Sequence, residues 1–327
     1  MRITRICTAS LALVAAAALV TGCSSGSSGS GTGDGKKVYA LLPQGTDQPY
    51  GTEYLKAMQA EADKDGIDLT ITNSQYSADR QASDCQVAVA AKPDLIILWP
   101  AVADTVRPCL ERAKAAGIPV TVTNSDVKPE DKSLTAGYSG PDTVGQGAAS
   151  AEIMCELAAG QPTNILEIDG LTGNTTAINR AKGFTDTIAS TCPNVKVLAA
   201  QPGNWNKDDA QTVTSEMLTS VGASNVQGIF AADDTMVAGA IDAVKAQNID
   251  PKPLIITSIG NTKLGNPLVA SGELDGTVFQ SSAWDGQNAI ILANKVLSGE
   301  PVSDDLFMPS VKVTAANAAD SAVTPNW

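Results

Sequence analysis

KVYALLPQGTDQPYGTEYLKAMQAEADKDGIDLTITN, residues 37–73, contains one complete strand–helix–strand unit. KVYALL is a short apolar strand. YGTEYLKAMQAEADKDG is a helix that stops at Gly66, and IDLTITN is the next strand. Two such strands joined by a single helix make a parallel pair, because a parallel partner can only be reached by a crossover. The rhythm continues outward. ADRQASDCQVAVAA is a helix, DLIILWP a strand stopped by Pro100, ADTVRPCLERAKAAG a helix and IPVTVTN a strand. Strands dense in Val, Ile and Leu and separated by single helices are those of a parallel sheet covered on both faces.

After a looser stretch, SDVKPEDKSLTAGYSGPD (125–142), the cycle starts again. Helix TVGQGAASAEIMCELAAG precedes strand NILEID, helix AINRAKGFTDTIAST and strand VKVLAA. Helix DDAQTVTSEMLTSV precedes strand GIFAA and helix DTMVAGAIDAVKAQ. Strand LIITSI, a short helix, strand DGTVFQ and helix WDGQNAIILANKVLSG follow, with DLFMPSVKVT read as a tail. Two successive α/β cycles of similar size predict two similar lobes.

Composition narrows the function. The 327 residues are 43% hydrophobic and 17% charged, as in an ordinary globular protein. A net charge of −13 argues against nucleic acid as a partner. The absence of histidine removes the commonest general base and metal ligand, and with it Ser-His and Cys-His nucleophile activation. No motif for a metal, a cofactor or a catalytic nucleophile is present. GQGAAS lacks the third glycine and the acidic partner of a dinucleotide site, and ADKDGIDL ends a helix rather than forming a calcium loop.

Residues 1–22 have the form of a signal peptide: two arginines, then the apolar run LALVAAAALV, too short to span a bilayer. LVTGC resembles a bacterial lipobox, which makes Cys23 the expected lipidated residue and anchor. Residues 24–36 are almost all Ser and Gly, a flexible tether. Export leaves Cys85, Cys109, Cys155 and Cys192, which allow three pairings or four free thiols. Right-handed crossovers put the helices of Cys85 and Cys109 side by side, and those of Cys155 and Cys192 likewise, which favours these two disulfides. The chain-entropy model gives roughly 3 kcal/mol for the first loop.

Ligands of open α/β sheets bind outside the carboxyl ends of the strands. There the sequence places Asp47, Gln48 and Tyr50, then Trp99, then Asn124, Ser125 and Asp126. Further on come GLTGNTT with Arg180, then Trp205, Asp233 and Asp234, Asn261, and Gln280 with Trp284. Aromatics are 4% of the chain, yet four of them fall at or just past strand ends. Aromatic faces among Asn, Gln, Asp and Arg suit a sugar.

Several of these stretches resemble the bacterial periplasmic sugar-binding proteins of the ribose-binding type, substrate-binding components of ABC importers. They are AEADKDGIDLTI, DLIILWP, AKAAGIPVTVTN, GNTTAINRAKGF, GIFAADDTMVAGAIDAVK and LANKVLSGEPV. The resemblance implies two Rossmann-like parallel-sheet lobes (periplasmic binding protein type I) joined by a three-segment hinge near Ser139, Gln280–Ser282 and Leu306. The lobes are then 37–139 with 281–306, and 140–280 with 307–327. It implies that Arg180 grips ligand hydroxyls and that Trp205 stacks on the ring. Gln48, Tyr50, Asn174, Asp233 and Gln280 become further contacts, with Trp99 and Asn124 at positions where this chain departs from relatives. Relatives often carry Asp-Arg where this chain has Asn124-Ser125, and Gly-Phe-Asp-Gly where it has SIGN, with Gly260 at the acidic position. The expected protein is therefore an extracytoplasmic, lipid-anchored monomer on the outer face of the cell membrane. It would present a small sugar or polyol to an ABC permease and need no cofactor. The alternatives are a sensor subunit and an importer subunit for a nucleoside-like solute.

Overall fold

The computed structural model describes residues 35–327; the signal segment, Cys23 and most of the Ser/Gly tether lie outside the described residues. The elements run β1 (Lys37–Leu42), α1 (Pro49–Asp65), β2 (Asp68–Asn73), α2 (Ala78–Ala91), β3 (Leu95–Leu98), α3 (Arg107–Ala115), β4 (Val120–Thr123) and β5 (Tyr138–Pro141). Then come α4 (Thr143–Ala158), β6 (Thr163–Asp169), α5 (Thr175–Thr191), β7 (Val195–Pro202), α6 (Lys207–Val221), β8 (Gly228–Ala231) and α7 (Asp234–Ala246). The last are β9 (Ile255–Thr257), α8 (Gly265–Ser271), β10 (Gly276–Phe279), α9 (Ser282–Leu297), β11 (Leu306–Met308) and β12 (Val311–Thr314).

They form two six-stranded sheets, ordered β2-β1-β3-β4-β5-β11 and β7-β6-β8-β9-β10-β12. Every pairing is parallel except β12 with β10. Both are doubly wound α/β sheets, as the alternating pattern predicts. Central strands such as β3, with Leu95 to Leu98 all fully buried, are covered by helices on both faces. Burying each such side chain stabilises by about 1.5–3 kcal/mol.

Two strands escape the apolar pattern. β5 reads YSGP, and its four residues are buried without an aliphatic run. β11 and β12 occupy the stretch expected as a tail. β11 is the outer strand of the first sheet and β12 of the second, so chain from beyond residue 300 completes both.

Helix starts are fixed by side chains at the strand ends. Ser77, Asp142, Asn174, Asn206, Asp233 and Ser281 each accept a backbone N–H of the helix that follows. Such caps satisfy donors that have no partner within the helix, at about 1 kcal/mol each. Helices α4 and α5 cross at backbone contact: a Cβ at Gly147 would stand 2.1 Å from the Arg180 carbonyl oxygen, and one at Gly183 2.0 Å from that of Val144. Any side chain there would force the two helices apart, and Arg180 with them.

Both predicted disulfides are present. Cys85 on α2 joins Cys109 on α3 with Cα atoms 5.9 Å apart, and Cys155 on α4 joins Cys192 at the end of α5 at 5.5 Å.

Candidate functional site

One cavity lies between the carboxyl edges of the two sheets and encloses about 570 Å³ of space, part of it open to solvent. All nine residues expected at a ligand site line it: Gln48, Tyr50, Trp99, Asn124, Asn174, Arg180, Trp205, Asp233 and Gln280. Gln44, Tyr76, Ser125, Thr176, Thr235 and Trp327 line it too.

Of the other strand-end residues, Asp47, Asp126, Asp234, Asn261 and Trp284 stand outside it. Asp234 is fully buried in a network with Ser258, Thr277 and the Thr262 N–H. Asn261 donates to the Val323 carbonyl at 2.6 Å. Asp126 pairs with Lys132. Trp284 sits on the first turn of α9, away from the cavity wall.

Arg180 is only 4% exposed. Its Nε and Nη2 both donate to Gln146 Oε1, at 3.1 and 2.8 Å, and Nη1 donates to the Ala232 carbonyl at 2.7 Å. Nη2 also donates to Gln280 Oε1. Four of its five N–H groups are thus committed among the described residues, which leaves one Nη1 hydrogen for a ligand. Burial pulls the guanidinium down to about 10, against the attraction of Asp233. Its plane lies over the Trp205 ring, 5.8 Å from the centroid.

Trp205 is held by backbone strain and by a glycine. Its φ is +59°, a left-handed conformation that costs an aromatic residue about 1 kcal/mol or more. Its indole lies against Gly170, where a Cβ would meet the ring at 2.1 Å. Asp233 caps α7 through Oδ1 and the Met236 N–H at 2.7 Å. Burial pushes its carboxyl up to about 7, opposed by that N–H and by Arg180.

The first-lobe wall is an aromatic cluster with a buried carboxylate behind it. Trp99 meets Tyr50 edge-on at 5.7 Å, and Trp327 meets Tyr50 at 4.8 Å. The Tyr50 hydroxyl donates to Asp285 Oδ2 at 2.7 Å and accepts from Asn124 Nδ2 at 3.0 Å and Gln280 Nε2 at 2.9 Å. Asn124, at φ +59°, donates its other amide hydrogen to Asp285 Oδ2 at 2.7 Å. Asp285, on α9, also accepts from Thr123 Oγ1 at 3.3 Å. The acid absent at position 124 is thus present one layer back. Tyr50 therefore presents its ring to the cavity, because its hydroxyl is fully engaged.

On one rim the lobes touch directly. Thr175 Oγ1 donates to the Asp126 carbonyl at 2.7 Å, Ser125 Oγ and Thr176 Oγ1 are 2.8 Å apart, and Asn174 Nδ2 donates to the Ala101 carbonyl at 3.2 Å and to Ser125 Oγ at 3.3 Å.

The buried carboxyls set a pH dependence. Burial raises Asp285 to about 6 and Asp233 to about 7 from an ordinary 3.8. Burial beside Asp169 also raises Glu167. Between about pH 4 and 7 the unfolded chain releases protons that the folded protein keeps, so stability falls as pH rises. Thermal unfolding is expected to give a higher Tm at pH 5 than at pH 8. A Tm that rises across this interval would contradict the assignment of these groups.

Residues 39–301 match the family model described as a periplasmic binding protein domain, and the chain belongs to that family of solute-binding proteins, which are not enzymes. It is 30% identical to the fructose import binding protein FruE of Bifidobacterium longum, over 95% of each chain. It is 29% identical to a xylitol-binding protein of Mycolicibacterium smegmatis, over 80% of this chain and 73% of the other. The periplasmic binding component of an arabinose ABC transporter from Shewanella sp. ANA-3, solved bound to L-arabinofuranose, superposes with a TM-score of 0.79 at 27% identity. That match covers 87% of this chain and 93% of the other.

Proposed function

We propose that the protein is the extracytoplasmic solute-binding component of an ABC importer and that it carries a small neutral sugar or polyol. The observation that supports this best is the convergence of the nine strand-end residues on one cavity between two lobes. Aromatic faces from both lobes bracket it, with one guanidinium and one carboxyl as its charged groups. Rings fit the C–H faces of a polyhydroxylated molecule, and Gln48, the second Gln280 amide hydrogen, the Asn124 amide oxygen, Arg180 and Asp233 fit its hydroxyls. Relatives named for fructose and xylitol, and a neighbour bound to arabinofuranose, favour the same class.

In this reading Arg180, Asp233, Gln280, Asn124 and Gln48 take hydroxyls, and Trp205, Trp99 and Tyr50 pack on the carbon skeleton. Asn174, whose amide hydrogens are spent across the rim, holds the lobes together beside the ligand. The solute draws the lobes closed about a three-segment hinge, because the contacts of the second lobe exist only in the closed state. The connections after β5, around Gln280–Ser282, and between β11 and β12 are the segments that bend. LVTGC marks Cys23 as a lipid anchor, and the Ser/Gly tether lets a monomeric binding protein reach its permease.

The direct test is thermal unfolding of the protein with D-ribose, L-arabinose, D-galactose, D-fructose, xylitol and myo-inositol. At about 100 times Kd a bound solute stabilises by about 2.7 kcal/mol. A shift with one of these is the expected result. A shift only with nucleosides or amino acids would replace the ligand class, and no shift with any solute would undo the reading.

A further inference from the structure

Two cavity residues have no part in the network described above. Gln44 follows β1 and Tyr76 follows β2, so both belong to the first lobe. Gln44 Nε2 donates to the Tyr76 hydroxyl at 2.5 Å. Gln44 Oε1 is buried, has no hydrogen-bond partner among the described residues, and belongs to a residue of the cavity wall. The Tyr76 hydroxyl accepts from Gln44 and has no acceptor of its own among the described residues. A buried polar atom left unpaired costs about 1–3 kcal/mol, and native proteins rarely keep one without a use.

The backbone is strained to make this arrangement. Gln75 and Tyr76 are consecutive left-handed residues, at φ +51° and +59°. Neither is glycine, so each conformation is disfavoured. The turn is tied back by Ser74 N–H to the Leu42 carbonyl, Tyr76 N–H to the Pro43 carbonyl and Ser77 N–H to the Ser74 carbonyl, at 2.9, 3.2 and 3.0 Å. These bonds hold the phenol in the cavity wall, where it feels the charges of Asp233 and Arg180 from the second lobe.

We propose that Gln44 and Tyr76 together form a specificity-determining subsite that reads one hydroxyl of the solute from the first lobe, facing Asp233 and Arg180 across the cleft. The unmet groups of the pair are a donor, the Tyr76 O–H, and an acceptor, Gln44 Oε1, with the second Gln44 Nε2 hydrogen beside them. If the amide is turned over, the donor becomes Gln44 Nε2 and the acceptor the Tyr76 oxygen, so the pair still offers one of each. A hydroxyl both donates and accepts and satisfies both atoms at once. A carboxylate or phosphate oxygen can only accept and leaves one of them unpaired, as does a C–H at that position. The subsite therefore selects for a neutral hydroxyl and against its deoxy analogue.

This inference rests on the cavity being a solute site. Its test is calorimetric titration of the intact wild-type protein, Tyr76→Phe and Gln44→Leu. The titrants are the tightest-binding member of the solute panel above and each of its singly deoxygenated analogues. Tyr76→Phe is expected to weaken the parent solute by about tenfold to a hundredfold. For one deoxy analogue alone, wild type and Tyr76→Phe should bind alike, and Gln44→Leu should give the same pattern. Unchanged affinity for the parent in both variants would overturn the subsite while leaving the solute reading intact, and so would a loss of equal size for every analogue. A wild type that binds no member of the panel would remove both.

Discussion

Arg180→Met is expected to weaken solute binding by about tenfold to more than a hundredfold while the protein still folds. The guanidinium is buried with no hydrogen-bonded carboxylate partner among the described residues, held instead by Gln146, Gln280 and the Ala232 carbonyl. Its charge is therefore expensive to keep, as its lowered pKa shows. Methionine keeps much of the volume and removes that desolvation, at the cost of leaving some acceptors unpaired, so the change in stability is small. Binding fares differently. A charge-assisted hydrogen bond contributes roughly 1.5–3 kcal/mol, and the substitution also frees Gln280, which Arg180 holds in place. Titration of both proteins with the same solute reads the difference. Equal affinities would mean that Arg180 is a structural cation and that the second lobe grips through Asp233 and Trp205 alone.

Asp285→Ala is expected to destabilise the fold by about 2–4 kcal/mol and to impair binding without removing any group that lines the cavity. Asp285 is fully buried on α9 and takes hydrogen bonds from Tyr50, Asn124 and Thr123. Alanine strands these donors behind the cavity and releases Tyr50 and Asn124 from their positions. A Tm lower by roughly 3–7 °C follows for a protein of this size. Asp285→Asn separates the contributions. It still accepts from Tyr50, but it sets a second amide against Asn124, and it cannot ionise. It should retain part of the stability and flatten part of the loss between pH 4 and 7. Wild-type stability in the alanine variant would show that the carboxylate organises nothing.

The strand ends were legible because two independent patterns agreed there. Apolar runs marked where each strand stops, and chemistry rare in the chain, above all tryptophan, fell just beyond them. That logic found Trp99, Trp205 and Asp233 without any contact being visible. It failed where a polar residue beyond a strand serves its own loop or core: Asp234 and Asn261 have the same address but are consumed by networks under the cavity. Gln44 and Tyr76 were passed over although they share residue types with Gln48 and Tyr50. What marks them is an unpaired atom and a left-handed backbone, and neither is written in residue type. Trp327 follows a stretch without strand or helix periodicity, so nothing local could bring it to Tyr50. β5 was missed for a related reason: a strand of Tyr, Ser, Gly and Pro is selected by its neighbours β4 and β11, not by its own propensity.

The interleaving of the two sheets also sets a timetable for folding. The first five strands of the first sheet are complete by Pro141, but its sixth strand is β11, and α9, which packs on α1, ends at Leu297. A chain growing at roughly 5–20 residues per second would wait on the order of ten seconds or longer between those points. Through that interval one face of the first sheet cannot close, because Ala289, Ile290 and Ala293 of α9 complete its apolar cluster. A first half left open on one face until nearly all of the chain has emerged stays pliable for that time, the state in which a chain can be threaded through a membrane.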